Sequence, residues 1–175
     1  MTERDAARFR RLFDEHFSYV WGAVRRLGVR VEDAEDCALE VFVAIHARLS
    51  SYDETRPIRP WLFGFAYRVV SHARRAEGRR REIFGVDPDL AAPGALPDEL
   101  VIASEERSIL AEAMEALDLE RRAVIVLHDW LGEPIPEVAR ALAIPLNTAY
   151  SRLRLGRADL AEAVRAVTRR RGGRP

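Results

Sequence analysis

The sequence predicts an all-α chain of two small helical domains joined by a flexible linker, the C-terminal domain carrying a helix-turn-helix. Three observations lead there. Apolar residues recur at steps of three and four over most of the 175 positions, the period of a helix face, and no stretch alternates as a half-buried strand would. That period fails over residues 78–97, GRRREIFGVDPDLAAPGALP, where Gly, Pro and Asp gather as they do in linkers. Beyond it, residues 135–157, IPEVARALAIPLNTAYSRLRLGR, fit two short helices about a tight turn. The domains are accordingly placed at 5–76 and 101–168, with an acidic linker at 77–100 and a disordered tail at 169–175.

Phe9, Leu12, Phe13, Phe17, Val20, Val24 and Leu27 mark the first helix, which ends at Gly28, a residue suited to the left-handed position after a helix. Asp33 is placed to cap the second, with Glu35 and Asp36 in its first turn against the positive end of the dipole. Ala34, Cys37, Ala38, Val41, Ile45 and Leu49 form its inner stripe, and Asp36, Glu40 and His46 lie on its other face. Residues 50–60, SSYDETRPIRP, read as a loop stiffened by two X-Pro steps. From about Trp61 a third helix turns Leu62, Phe65, Ala66, Val69, Val70 and Ala73 inward. Trp61, Phe63 and Tyr67 exceed what one helix core needs; beside arginines they suit either base stacking or an aromatic-rich core, and spacing does not choose.

After the linker, Ile102, Ile109, Leu110, Ala113 and Leu117 continue a helical pattern that begins at Asp98. Asp118 can cap the next helix, which carries Val124, Leu127 and Leu131 and stops at Gly132. Ile135, Val138, Ala139 and Leu142 then make the stripe of a short helix that runs out near Ala143. Pro145 cannot continue it, and Asn147 offers a capping oxygen, so the last helix is expected from Thr148. Ala149, Leu153, Gly156 and Leu160 face inward there, leaving Thr148, Tyr150, Ser151, Arg152, Arg154 and Arg157 outward, with hydroxyls and guanidinium forks that suit phosphates and base edges.

A formal net charge of zero argues weakly against a nucleic-acid binder until the charges are mapped. They are segregated. Residues 65–82 hold six arginines against two acids, residues 83–106 six acids and no base, and the stretch after Asn147 eight arginines against Asp159 and Glu162. Two basic sites joined by an acidic strap fit a DNA binder shielded by itself when free. Cys37 is the sole cysteine, which excludes an internal disulfide and a thiolate metal cluster and suits a reducing compartment. The N-terminus is charged where a signal peptide would be apolar, and no run reaches the length of a membrane span, so a cytoplasmic protein without membrane insertion is expected. His16, His46, His72 and His128 are scattered with no metal-ligand spacing, and no glycine-rich phosphate loop is present. Neither a metal, a cofactor nor an enzymatic activity is expected.

With these blocks in view the chain resembles the extracytoplasmic-function (group IV) sigma factors of bacterial RNA polymerase, in the sigma-70 family. DAEDCALEVFVAIHARLSSYD (33–53) looks like region 2.2 and PWLFGFAYRVVSHARR (60–75) like regions 2.3 and 2.4. LDLERRAVIVLHDWLG (117–132) looks like region 4.1, and the helix-turn-helix like region 4.2. The resemblance implies no catalysis by the chain itself. It implies docking of residues 33–49 on the clamp helices of the largest core polymerase subunit through Asp33, Asp36, Glu40 and Phe42, and of the C-terminal domain on the flap. Minus-35 duplex would be read by Asn147, Thr148, Tyr150, Ser151, Arg152, Arg154 and Arg157. Minus-10 DNA would be read and opened by Tyr52, Arg56, Arg59, Trp61, Phe63, Arg68, His72 and Arg75, with Trp61 favoured as an anchor that fixes the loop. An anti-sigma factor is a further partner that the resemblance admits.

Departures from the family pattern bear on specificity. Arg68 and His72 stand where the family usually has Asn and Asp, Ala149 and Tyr150 where Val and Lys are frequent, and Leu155 where a base is frequent. Pro134 replaces a common capping Ser. The rival reading is a helix-turn-helix repressor or activator that binds DNA without polymerase; residues 33–75, which lack the signature of a ligand pocket, argue against it.

Overall fold

The computed structural model describes residues 3–84 and 104–172, which form two helical units, one on each side of the linker. Among them there is no strand. The acidic segment from Asp87 to Glu99, with the self-shielding expected of it, lies outside the described residues, as do Asp98, Ile102 and residues 173–175.

In the first unit α1 (Glu3–Arg26), α2 (Val31–His46) and α3 (Ile58–Phe84) pack each against the other two. Val20, Ala23, Val24 and Leu27 from α1, Ala34, Ala38, Val41, Phe42 and Ile45 from α2, and Leu62, Phe63, Ala66 and Val70 from α3 are buried. Gly28 adopts φ 94°, and the amides of Gly28 and Val29 return to the carbonyls of Arg25 and Val24 at 2.9 and 3.1 Å, a Schellman closure.

Several expected boundaries move. Helix α2 begins at Val31 behind Arg30, so Glu32 and Asp33 occupy its first turn. Asp33 therefore does not cap it; its carboxylate accepts from Arg30 at 2.8 Å. Helix α3 begins at Ile58 rather than Trp61, because Pro60 falls in the first turn, where a missing N–H removes no intrahelical bond. It runs on to Phe84, past the boundary drawn at residue 76. Ala73, expected inside, is exposed. Cys37 is half-buried, and burial pushes its thiol up to about 11, with Glu40 and Asp33 adding to the effect.

In the second unit α4 (Ser104–Glu115), α5 (Leu119–Ile125) and α6 (Ile135–Ala141) all pack against α7 (Leu146–Gly172). Asp118 caps α5, its side chain accepting from the Arg121 amide at 2.8 Å. A π turn, Val126–Trp130, prolongs α5 and closes at Gly132, φ 76°. Gly156 is buried where α7 crosses α5: a Cβ there would stand 2.9 Å from Ile125 Cδ1 and 3.2 Å from Arg121 Cβ. Asn147 does not cap α7. The helix starts at Leu146, two residues before the expected Thr148, and the carbonyl of Pro145 accepts its first bond, from Ala149, at 3.1 Å. It also runs to Gly172, ending after the expected start of the tail, with Arg171 donating to Glu112 of α4 at 2.9 Å.

The turn between α6 and α7 is closed by Ala143 at φ 54°, a conformation that glycine adopts without strain and alanine does not. Ile144 returns its amide to Ala139 at 2.9 Å. Ala143→Gly is therefore expected to stabilise this unit by about 1 kcal/mol, the relieved left-handed strain outweighing the added chain entropy. Urea denaturation of the full chain checks the sign: a lowered midpoint would show that Ala143 is not strained.

Candidate nucleic-acid and polymerase interfaces

On α2 the outward face is built from Glu32, Asp36, Leu39, Glu40 and Val43, all exposed, with Val43 72% accessible. This face is acidic with two apolar side chains at its centre. Phe42, expected among the docking residues, is not on it. The ring is 2% exposed and lies under α1, its centroid 4.8 Å from Phe13, 6.2 Å from Phe17 and 6.3 Å from Phe9. One residue advances the helix by about 100°, which carries Phe42 into the core and leaves Val43 in solvent. Leu39 and Val43 were missed although their i, i+4 spacing opposite the buried stripe is legible.

Truncating Phe42 to Ala is expected to destabilise the first unit by about 3–5 kcal/mol through lost burial and the cavity left behind. A denaturant midpoint that scarcely moves would place Phe42 outside the core.

Between α2 and α3 a 3-10 turn, Leu49–Ser51, leads into a loop held by its own polar groups. Asp53 accepts from the Thr55 amide at 3.0 Å and the Thr55 hydroxyl at 2.7 Å, bonds that hold its carboxyl below the usual range. Arg56 lies 3.4 Å from Asp53, Arg8 reaches Glu54 at 2.7 Å, and the Tyr52 hydroxyl donates to the Arg56 carbonyl. The Tyr52 ring packs on Trp61 at 4.7 Å, Trp61 on Phe65 at 4.7 Å, and the Arg68 guanidinium sits 4.3 Å above Phe65. A continuous series of ring contacts, tilted and edge-on, thus runs from the loop along α3. Trp61 is half-buried within it, which suits the anchor role. Phe63 is fully buried and cannot flank an extruded base, so its sequence assignment is corrected. Arg56, Arg59, Arg68, His72 and Arg75 are exposed, but Arg59 lies in the first turn of α3, its carbonyl accepting from Tyr19 at 3.0 Å.

On α7 the buried positions are Ala149, Leu153, Gly156 and Val167, while Leu160 is only half-buried. Asn147, Tyr150, Ser151, Arg154 and Arg157 are exposed, and Thr148 and Arg152 partly so. The arginines differ in their partners. Arg152 donates to Glu120 at the start of α5. Arg157 grips Asp129 of the π turn with two donors, Nε at 2.9 Å and Nη2, and these bonds raise its pKa further. Arg154 makes no ion pair among the described residues. Neither acid was foreseen, since 32 and 28 residues separate each pair.

Comparison with known proteins follows both units. Residues 12–80 match the family model described as Sigma-70 region 2, and residues 107–160 that described as Sigma-70, region 4. RNA polymerase sigma factor NccH of Alcaligenes xylosoxydans xylosoxydans is 29% identical over 163 residues, 91% of this chain and 88% of that protein. ECF RNA polymerase sigma factor SigL of Mycobacterium tuberculosis is 32% identical over 151 residues, 85% and 84% of the two chains. Among solved structures, the sigma factor RpoE in complex with the anti-sigma factor NepR from Bartonella quintana matches with TM-score 0.73 at 18% identity, over 90% of this chain and 96% of that one, a likeness of fold alone. CnrH in complex with the cytosolic domain of CnrY matches with TM-score 0.61 at 25% identity, over 90% of this chain and 88% of that one. With both regions matched in order and the alignment to SigL running along most of both proteins, the chain belongs to the extracytoplasmic-function sigma factors of the sigma-70 family.

Proposed function

We propose that the chain binds core RNA polymerase through the outward face of α2, reads the minus-35 element as duplex with the N-terminal half of α7, and reads and opens the minus-10 element with residues 52–59 and α3. The observation that carries this reading is the pairing, in one chain, of an acidic face with exposed Leu39 and Val43 and a separate helix-turn-helix with outward guanidiniums. A repressor needs the second but not the first. The largest polymerase subunit is the partner of α2, and the flap that of the second unit. An anti-sigma factor is a further partner, as for the relatives whose complexes with NepR and CnrY are known. Among the described residues no helix is long and apolar enough to cross a membrane, and the action proposed is cytoplasmic, as a non-enzymatic subunit of polymerase.

The reading face is tested at Arg154 and Arg152. A lost bidentate base contact costs about 1–3 kcal/mol and relaxes specificity at one position, whereas a lost phosphate contact weakens all sequences alike. Arg154→Ala, in holoenzyme, is expected to lower minus-35 binding by about tenfold or more, and Arg152→Ala by less, because Glu120 already engages it. If promoter binding survives both substitutions unchanged, α7 does not present this face to DNA.

A further inference from the structure

The unit proposed to read duplex DNA carries no net charge between residues 104 and 172, where eleven arginines stand against eleven acids. On its reading helix the compensation is local. Asp129 occupies Nε and Nη2 of Arg157, the donor edge that a phosphate or a guanine would use bidentately. Glu120 takes Nη2 of Arg152, whose Nη1 is buried without a hydrogen-bond partner, so no second anion can bridge its two terminal nitrogens. Both acids come from the segment before the helix-turn-helix: Glu120 in the first turn of α5, Asp129 in the π turn that re-aims the end of that helix.

We propose that Glu120 and Asp129 are specificity-determining residues that compete with DNA phosphates for Arg152 and Arg157 and so restrain binding to non-cognate duplex. The inference rests on the assignment of α7 to minus-35 DNA. A phosphate that displaces Asp129 exchanges one anionic partner for another, so a backbone contact alone gains little. A cognate site adds base-edge contacts to that exchange and completes it. The same pairs lower the number of phosphates the free chain neutralises, and with it the counterion release that drives non-specific binding.

The test measures binding of the full chain to a random-sequence duplex by fluorescence anisotropy across a salt series. Asp129→Asn and Glu120→Gln are each expected to tighten that binding about fivefold at low salt, the scale of one exposed ion pair. Each should also steepen the slope of log K against log salt by about 1, the increment for one added phosphate. Holoenzyme affinity for a cognate promoter should change less, so the ratio of cognate to random binding falls. The gain from Asp129→Asn should disappear in an Arg157→Ala background, and circular dichroism should show helix content unchanged in every variant. Random-duplex binding that is unchanged, absent throughout or weakened in the two acid variants overturns the proposal. Arg157→Ala separates the two possible failures. If it weakens promoter binding by holoenzyme while Asp129→Asn gains nothing, only the restraint is wrong; if it has no effect, the assignment of α7 fails as well.

Discussion

Val43→Arg combined with Leu39→Arg is expected to abolish co-purification of the chain with core polymerase while leaving its helix content and thermal midpoint close to those of the parent. Both side chains are exposed in the free chain, so neither contributes to the core of the first unit. Fully burying a Leu or a Val is worth about 1.5–3 kcal/mol, of which the partly covered Leu39 and Val43 can gain only a share, and every 1.4 kcal/mol is a factor of ten, so losing both lowers affinity by about one to two orders of magnitude. Asp36→Arg with Glu40→Arg is expected to act in the same direction through charge, and more strongly at low ionic strength, since exposed charges are screened. Phe42→Ala separates docking from folding, because it should lower stability first and core binding only in consequence. Core binding that survives both double substitutions would remove α2 from the interface and favour the repressor reading.

Replacing residues 52–57, the loop that precedes α3, with a Gly/Ser segment is expected to preserve folding, core binding and minus-35 binding but to block strand separation. Taking a base from the stack costs a few kcal/mol, which a single-strand site returns through stacking and phosphate contacts. The segment removed carries Tyr52, whose ring packs at a tilt on Trp61, together with exposed Arg56, and its shape is preset by the Asp53–Thr55 bonds. A Gly/Ser chain in its place has neither the ring, the charge nor the preset turn, so an ordering cost is added to the lost contacts. Permanganate reactivity of thymines around the minus-10 element reports the outcome. Normal reactivity in the loop-swapped holoenzyme would sink the assignment, and restored initiation on a template already melted there would support it.

The all-α class and the helix-turn-helix were legible because helix periodicity and caps are local. Gly28, Asp118 and Gly132 each do at their position what their residue type suggests. Boundaries set by proline were harder. Pro60 and Pro145 both signal an interruption, yet one lies inside the first turn of a helix and the other just before one, and only the backbone path distinguishes the two. Phe42 and Phe63 were misassigned for a different reason. An aromatic at the edge of an apolar stripe goes inward or outward according to what the neighbouring helix offers, and α1 offers Phe9, Phe13 and Phe17 to Phe42. The partners of Arg152 and Arg157 lie too far along the chain for any local pattern to reveal them.

The most direct test of the central claim, that promoter recognition by this chain belongs to its complex with polymerase, is run-off transcription on genomic fragments with core polymerase alone, the chain alone, and both together. Discrete transcripts are expected only from the combination, from sites sharing a minus-35 and a minus-10 element, and they should vanish with Val43→Arg combined with Leu39→Arg. Tight, sequence-specific binding of the same fragments by the chain alone, with no transcript when core is added, would contradict it.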